Sequence, residues 1–172
     1  ADEENNEGQG SLQTISVAEL SPKEIADYVE SMKVSSGYWF TSWFPALIES
    51  LSLEEIQALD RLNRVGISYF RPLVMSILKN IKDVALRIRL FDNIERFIFL
   101  AFRINGARAN YGSSEFYNAA RGVDIGKITP DEIEAKLSER LEYIFHSDQT
   151  LKATEFYALL ERKCNDGSGY YG

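Results

Sequence analysis

Apolar side chains recur every three or four residues along most of this chain, which is the spacing of one face of an α-helix. The pattern extends from about residue 20 to residue 160, and no segment alternates between apolar and polar residues as a half-buried strand would. We therefore predict an all-α fold, an irregular bundle of six to eight helices.

The segment 83–106, with the sequence DVALRIRLFDNIERFIFLAFRING, is apolar on almost every side. A helix of this kind must be covered by other helices if it is to be stable in water. We therefore predict that residues 84–105 form one long helix at the centre of the bundle. Asp83 is the expected N-cap, and Gly106 is expected to end the helix.

Helix starts are marked by a hydroxyl residue with a glutamate three positions later, which is the pattern of a capping box. The pattern occurs at Ser21, Ser52 and Thr129. Within the central segment, Asp92 lies four residues before Arg96, which predicts an ion pair on the helix surface.

Aromatic residues follow Gly37 closely in the sequence YWFTSWFP. We expect Gly37 to break the first helix. Two tryptophans so close together, Trp39 and Trp43, favour a buried aromatic corner. An exposed surface that binds a partner is the alternative interpretation.

The composition along the chain predicts its domain organisation. Residues 1–19 are mostly polar and acidic and are expected to be disordered or partly ordered, and residues 20–164 are expected to form a single helical domain. Residues 165–172, with the sequence NDGSGYYG, are predicted to form a flexible turn where the chain is truncated. The missing initiator methionine also indicates a fragment of a longer protein.

Few residues are available for catalysis or for metal binding. The chain has one cysteine and one histidine, so it cannot form an intramolecular disulfide or a Cys/His zinc site. His146 is expected near a helix end, and Cys164 near the end of the last helix. No nucleotide-binding or metalloprotease motif is present. We therefore expect no catalytic, cofactor or metal residues and no enzymatic activity.

The apolar runs are too short to span a membrane, and the N-terminus has no apolar core of a signal peptide. Together with the single cysteine, this predicts a cytoplasmic protein with no membrane partner.

One segment is basic although the chain is acidic. Residues 79–122 contain eight basic and four acidic side chains, a net charge of +4, whereas the whole chain carries −7. A polar loop in this segment supplies Arg108, Asn110 and Tyr111, and Arg121 follows. These four residues are candidates for contact with a nucleic acid or a partner, because such side chains bind phosphate and stack on bases. The alternative is a loop that closes on nearby acidic helices.

Four segments resemble parts of GmrSD-like proteins, which are bacterial modification-dependent restriction and phage-defence proteins. They are residues 93–110 (NIERFIFLAFRINGARAN), 70–73 (FRPL), 117–121 (YNAAR) and 156–161 (FYALLE). The resemblance extends over residues 20–172, and Arg108 and Arg121 match landmarks of the family.

The resemblance implies a domain architecture. GmrSD-like proteins combine an N-terminal ParB-like nucleotide-hydrolysing domain, a helical middle region and a C-terminal HNH-type nuclease. The DGQQR motif of the first and the histidine-rich metal site of the last are absent from this sequence. The chain therefore resembles the helical middle region, and its implied partners are the flanking ParB-like and HNH nuclease domains.

Three functional hypotheses follow. The first is a non-catalytic helical domain that couples or positions the catalytic modules of a GmrSD-like protein. The second is a nucleic-acid-binding module that uses the basic segment and binds DNA. The third is a protein-interaction scaffold, unrelated to restriction, that uses Trp39 and Trp43.

Overall fold

The computed structural model describes residues 21–66, 68–146 and 161 of the chain. These residues contain helices and no β-strand, which confirms the all-α prediction for the described part. The α-helices are α1 (Pro22–Trp43), α2 (Leu53–Val65), α3 (Arg71–Asn80), α4 (Val84–Ile98), α5 (Ser113–Asp124) and α6 (Pro130–His146). Short 3₁₀ turns at Pro45–Leu47 and Ser68–Phe70 and a π-helix at Phe99–Ile104 connect them. The last predicted helix, near whose end Cys164 is expected, falls on residues that are mostly outside the described ranges.

By its internal contacts the chain divides into two units, Ala1–Lys33 and Val34–Gly172. The division falls within α1. The predicted domain limits, after residues 19 and 164, lie outside the described residues and stay predictions. The core and the candidate surface described below belong to the second unit.

The predicted capping boxes at the starts of α1, α2 and α6 are confirmed. At α2, the Glu55 amide donates to the Ser52 hydroxyl at 3.2 Å, and the Ser52 amide donates to the Glu55 carboxylate at 3.0 Å. Ser21 with Glu24, and Thr129 with Glu132, form the same reciprocal pair. These local hydrogen bonds satisfy amide groups that have no partner inside the helix.

The central segment does not form one continuous α-helix over residues 84–105. It begins as predicted, with the Asp83 carboxylate accepting from the Leu86 amide at 3.2 Å. The α-helix then ends at Ile98, and a π-helix follows, in which the Asn105 amide donates to the carbonyl of Leu100, five residues earlier. An apolar pattern that continues on every side does not distinguish the two hydrogen-bonding registers.

The first helix also differs from its prediction, because α1 continues through Gly37 to Trp43. A Cβ atom at Gly37 would meet no atom within 4 Å, and the backbone there does not need the left-handed conformation that favours glycine. The expectation that Gly37 breaks the helix was therefore wrong. A single glycine lowers helix stability by only about 1 kcal/mol, which neighbouring interactions can offset.

Helix α4 packs against both α2 and α6, and α3 packs against α5. Three phenylalanines join these elements: the ring of Phe70 lies 4.5 Å from that of Phe116 and 5.6 Å from that of Phe97, measured between centroids. All three side chains are almost completely buried. They are part of the hydrophobic core of the second unit.

Charged side chains of α2 and α4 pair across the interface between these helices. Arg61 donates to Glu95 at 2.8 Å and also pairs with Asp92. The predicted pair of Asp92 with Arg96 is thus replaced by a contact between helices, and Arg96 is exposed.

Glu55 forms the most deeply buried ion pair of this interface. Its side chain is 1% exposed and accepts hydrogen bonds from the Nε and Nη2 atoms of Arg87, with the Nε bond at 2.7 Å. Arg87 also donates from Nη1 to the carbonyl of Ile81 at 2.8 Å. Glu55 therefore caps α2 and neutralises a cation on α4 at the same time.

We expect Glu55→Gln to lower the free energy of unfolding by about 3 kcal/mol, because it leaves the Arg87 charge without a counterion in a buried site. Glu54→Gln is the matched control, since Glu54 is an exposed first-turn acid of the same helix. Its effect should be below about 0.5 kcal/mol. Urea unfolding of both variants measures the difference, and equal midpoints would contradict the role given to Glu55.

Candidate binding surface

The four candidate contact residues of the basic segment lie on two different elements of the structure. Arg108, Asn110 and Tyr111 precede α5, whereas Arg121 lies in its last turn. The rise along the helix from residue 113 to residue 121 is about 12 Å. Arg108, Asn110 and Arg121 are exposed, and Tyr111 is half-buried.

The ring of Tyr111 is occupied by contacts within the protein. It stacks on Phe97 at 6.5 Å between centroids with an interplanar angle of 12°, and the guanidinium of Arg140 lies 5.8 Å from it. Its hydroxyl donates to the Arg140 carbonyl at 3.1 Å, and its own carbonyl accepts from the Tyr69 hydroxyl at 2.9 Å. Tyr111 therefore anchors the loop to the core.

Acidic residues outside the basic segment pair with three of its eight bases. The pairs are Lys79 with Asp124, Arg87 with Glu55, and Arg89 with Glu134 and Asp131. The hydrogen bond from Lys79 to Asp124 holds the pKa of this carboxyl below its ordinary value. Bases from outside the segment pair in turn with its own acids: Arg61 with Asp92 and Glu95, and Lys136 and Arg140 with Glu115. The net charge of the segment along the sequence therefore does not describe the charge of the surface it forms.

Arg121 lines a groove of about 340 Å³, where the Lys79 and Asp124 pair also lies. In the described ranges, no three Cys, His, Asp or Glu side chains are grouped so that they could hold a metal ion. None of the helices in the described part combines the length and the apolar character that a membrane span requires.

The most distinctive surface lies at the end of α1, and we call it the aromatic surface. Its members are large apolar side chains that are between 40% and 68% exposed: Trp39, Phe40, Trp43, Phe44 and Leu47. The rings pair along the helix, with Trp39 and Trp43 at 6.2 Å and Phe40 and Phe44 at 5.0 Å between centroids. The prediction of a buried aromatic corner was therefore wrong.

The packing face of α1 explains this exposure. In the second unit, α1 buries Ser42 completely and Ser35 and Tyr38 in part. Helix positions differ by about 100° per residue, so a helix that packs through one narrow stripe leaves its other faces in water. The aromatic residues lie outside the stripe that contains Ser42.

Two side chains from other helices hold the end of α1. Asn63 of α2 donates from Nδ2 to the carbonyls of Ser42 at 3.1 Å and Trp43 at 3.3 Å. Arg71 of α3 donates from Nη1 to the same Ser42 carbonyl at 2.9 Å and to Asn63 Oδ1 at 2.8 Å. We call this arrangement the helix-end clamp. It satisfies carbonyl groups that have no partner inside the helix.

Arg71 also contacts the aromatic surface directly. The carbon at the centre of its guanidinium lies 3.8 Å from the ring centroid of Trp43, which is within the range of a cation–π interaction. Neither Asn63 nor Arg71 is a candidate functional residue from the sequence alone. Arg71 lies in the resembling segment 70–73 and beside Pro72, which marks the start of α3, but neither feature predicts a contact with a residue 28 positions away.

In the first unit, α1 also presents apolar side chains to solvent. Ile25, Tyr28, Val29 and Met32 are between 49% and 66% exposed. Their spacing is that of one helix face.

Comparisons with known proteins found no relative. No protein-family model matches the chain, and neither a curated protein nor a solved structure matches it. The function is therefore inferred from the aromatic surface.

We expect Asn63→Ala to loosen the end of α1, because it removes two hydrogen bonds to α1 carbonyls and one acceptor of Arg71. Amide hydrogen exchange at residues 39–44 should become roughly tenfold faster, the effect of about 1.4 kcal/mol of lost hydrogen bonding. Asn118→Ala, at an exposed position of α5, is the matched control and should leave these amides unchanged. Equal exchange in both variants would contradict the helix-end clamp.

Proposed function

We propose that this chain is a non-catalytic helical domain that binds a partner protein through the aromatic surface and thereby positions that partner. The supporting observation is the exposure of five neighbouring large apolar side chains on one end of α1 and the turn after it. Contiguous apolar patches on a protein surface commonly mark interaction sites. Tryptophan is also among the residues that contribute most to binding energy in interfaces.

The rigidity of the surface supports the same proposal. The helix-end clamp fixes the last turn of α1, and Pro45 of the following 3₁₀ turn is buried. A surface that is already ordered loses little conformational entropy when a partner binds. Aromatic side chains on such a support are suited to act as anchors.

The resemblance to GmrSD-like proteins suggests which partners to consider. It implies that the chain couples or positions a ParB-like module and an HNH nuclease module in a DNA restriction or phage-defence protein. The described part of the chain is all-helical, which is compatible with a helical middle region. Within the proposal, the aromatic surface is the place where one of these modules would dock.

The charges favour protein binding over the alternative of a nucleic-acid surface. Five of the eight bases of the segment that suggested DNA contact are paired with acids or bonded to carbonyls: Lys79, Lys82, Arg87, Arg89 and Arg103. Binding of nucleic acid depends on basic groups that are free to neutralise phosphates. Arg108 and Arg121 are exposed, but Arg108 lies in the loop before α5 and Arg121 in the last turn of α5.

The only two tryptophans of the chain lie on the aromatic surface, so tryptophan emission reports on its occupation. We expect tryptophan-free peptides selected from a displayed random library on the full chain to shift this emission to shorter wavelengths. The joint variant Trp39→Ala and Phe40→Ala should weaken their binding about tenfold or more, since it removes two anchors. Titration calorimetry measures the change in affinity.

The matched control is the joint variant Val84→Ala and Tyr143→Ala, which shortens exposed apolar side chains of α4 and α6. It should leave peptide affinity within about twofold. Selected peptides that leave the tryptophan emission unchanged, or that respond equally to both variants, would refute the proposal. Duplex DNA binding that is lost in the joint variant Arg108→Ala and Arg121→Ala would favour the nucleic-acid alternative instead.

A further inference from the structure

Arg71 differs from the other half-buried arginines in the described part of the chain. There are four such side chains, and three of them pair with carboxylates: Arg61 with Asp92 and Glu95, Arg87 with Glu55, and Arg140 with Glu115. No described carboxylate lies within ion-pair distance of Arg71. Its partners are a carbonyl, an amide oxygen and the Trp43 ring.

Only one corner of the Arg71 guanidinium is engaged by hydrogen bonds. Nη1 makes both bonds, while Nε and Nη2 have no acceptor among the described residues. No buried side-chain nitrogen or oxygen in that part of the chain lacks a partner. The Nε and Nη2 donors are therefore not buried, and they reach solvent beside the aromatic surface.

The edge of the Arg71 guanidinium that carries Nε and Nη2, which we call its free edge, has the geometry that binds a carboxylate. Nε and Nη2 present two parallel N–H groups, and a carboxylate accepts both at once in a bidentate pair. Partial burial also makes a counterion valuable, because a desolvated charge without one is unfavourable. Burial accordingly lowers the pKa of Arg71 from its ordinary value, with no neighbouring carboxylate to oppose it.

We propose that the Arg71 guanidinium recognises an aspartate or glutamate side chain of the partner protein, next to apolar partner side chains that cover Trp39 and Trp43. This inference rests on the proposed function, since it concerns the partner of the same aromatic surface. A single guanidinium with one free edge matches one carboxylate in a bidentate pair.

The test uses the peptides that shift the tryptophan emission of the full chain. We expect these peptides to be enriched in aspartate or glutamate beside apolar residues. Replacing that acid by asparagine or glutamine should weaken binding to the unmodified chain about 10- to 100-fold, because it removes a charge-assisted bidentate pair. Against Arg71→Gln, the same replacement should change the affinity less than about twofold.

Two control variants separate charge recognition from the helix-end clamp. Asn63→Ala loosens the end of α1 and removes one acceptor of Arg71 but keeps the guanidinium. It should lower the affinity for both peptides and still leave the acidic peptide the tighter binder. Arg64→Gln removes an exposed charge from α2 and should also keep the preference for the acidic peptide. The acid-to-amide exchange in the peptide needs no change in the protein, so it stays informative even if Arg71→Gln alters α1.

The outcomes distinguish this inference from the proposed function. If the peptides that shift the tryptophan emission are not enriched in aspartate or glutamate, the role of Arg71 is overturned, whereas the aromatic surface is still the binding site. If replacing the peptide acid by its amide lowers the affinity equally for the unmodified chain and for Arg71→Gln, the role of Arg71 is likewise overturned. Tighter binding of a phosphoserine peptide than of its glutamate counterpart would replace the carboxylate by a phosphate partner. A library without any emission-shifting peptide would contradict the proposed function itself.

Discussion

The last carbonyl groups of α1 need hydrogen-bond donors, and Asn63 and Arg71 supply them from two other helices. The position of the aromatic surface depends on this helix-end clamp. The clamp joins the end of α1 to α2 and α3, and it allows Trp39 and Trp43 to remain exposed on an ordered helix. The same hydrogen bonds thus order the end of α1 and hold its aromatic side chains in position.

The helix-end clamp depends on the positions of α2 and α3, which carry Asn63 and Arg71. Helix α2 is tied to α4 by the buried pair of Glu55 and Arg87 and by the bonds from Arg61 to Glu95 and Asp92. Helix α3 follows Phe70, whose ring packs between those of Phe97 and Phe116 in the core. The aromatic surface is therefore linked through short contacts to the best-buried part of the molecule.

Features that depend on neighbouring residues could be predicted from the sequence. The reciprocal bonds of Ser52 with Glu55 are an example, because both groups lie within one turn. The pairing of Asp92 with Arg61 and the contact of Arg71 with Trp43 join distant positions, and helical spacing carries no information about them. The exposure of the aromatic surface could not be predicted for a related reason: the tryptophans are apolar, but the face of α1 that is buried is the one that contains Ser42.

The central claim is that both indoles are exposed to solvent in the free protein while the chain around them is folded. Acrylamide quenching of tryptophan emission tests it most directly, because the chain has no other tryptophan and acrylamide is uncharged. The account predicts that quenching of the folded chain approaches that of the chain unfolded in urea, with far-ultraviolet circular dichroism confirming helix in the folded sample. Emission at short wavelength that is protected from acrylamide in the folded, unliganded chain would contradict it.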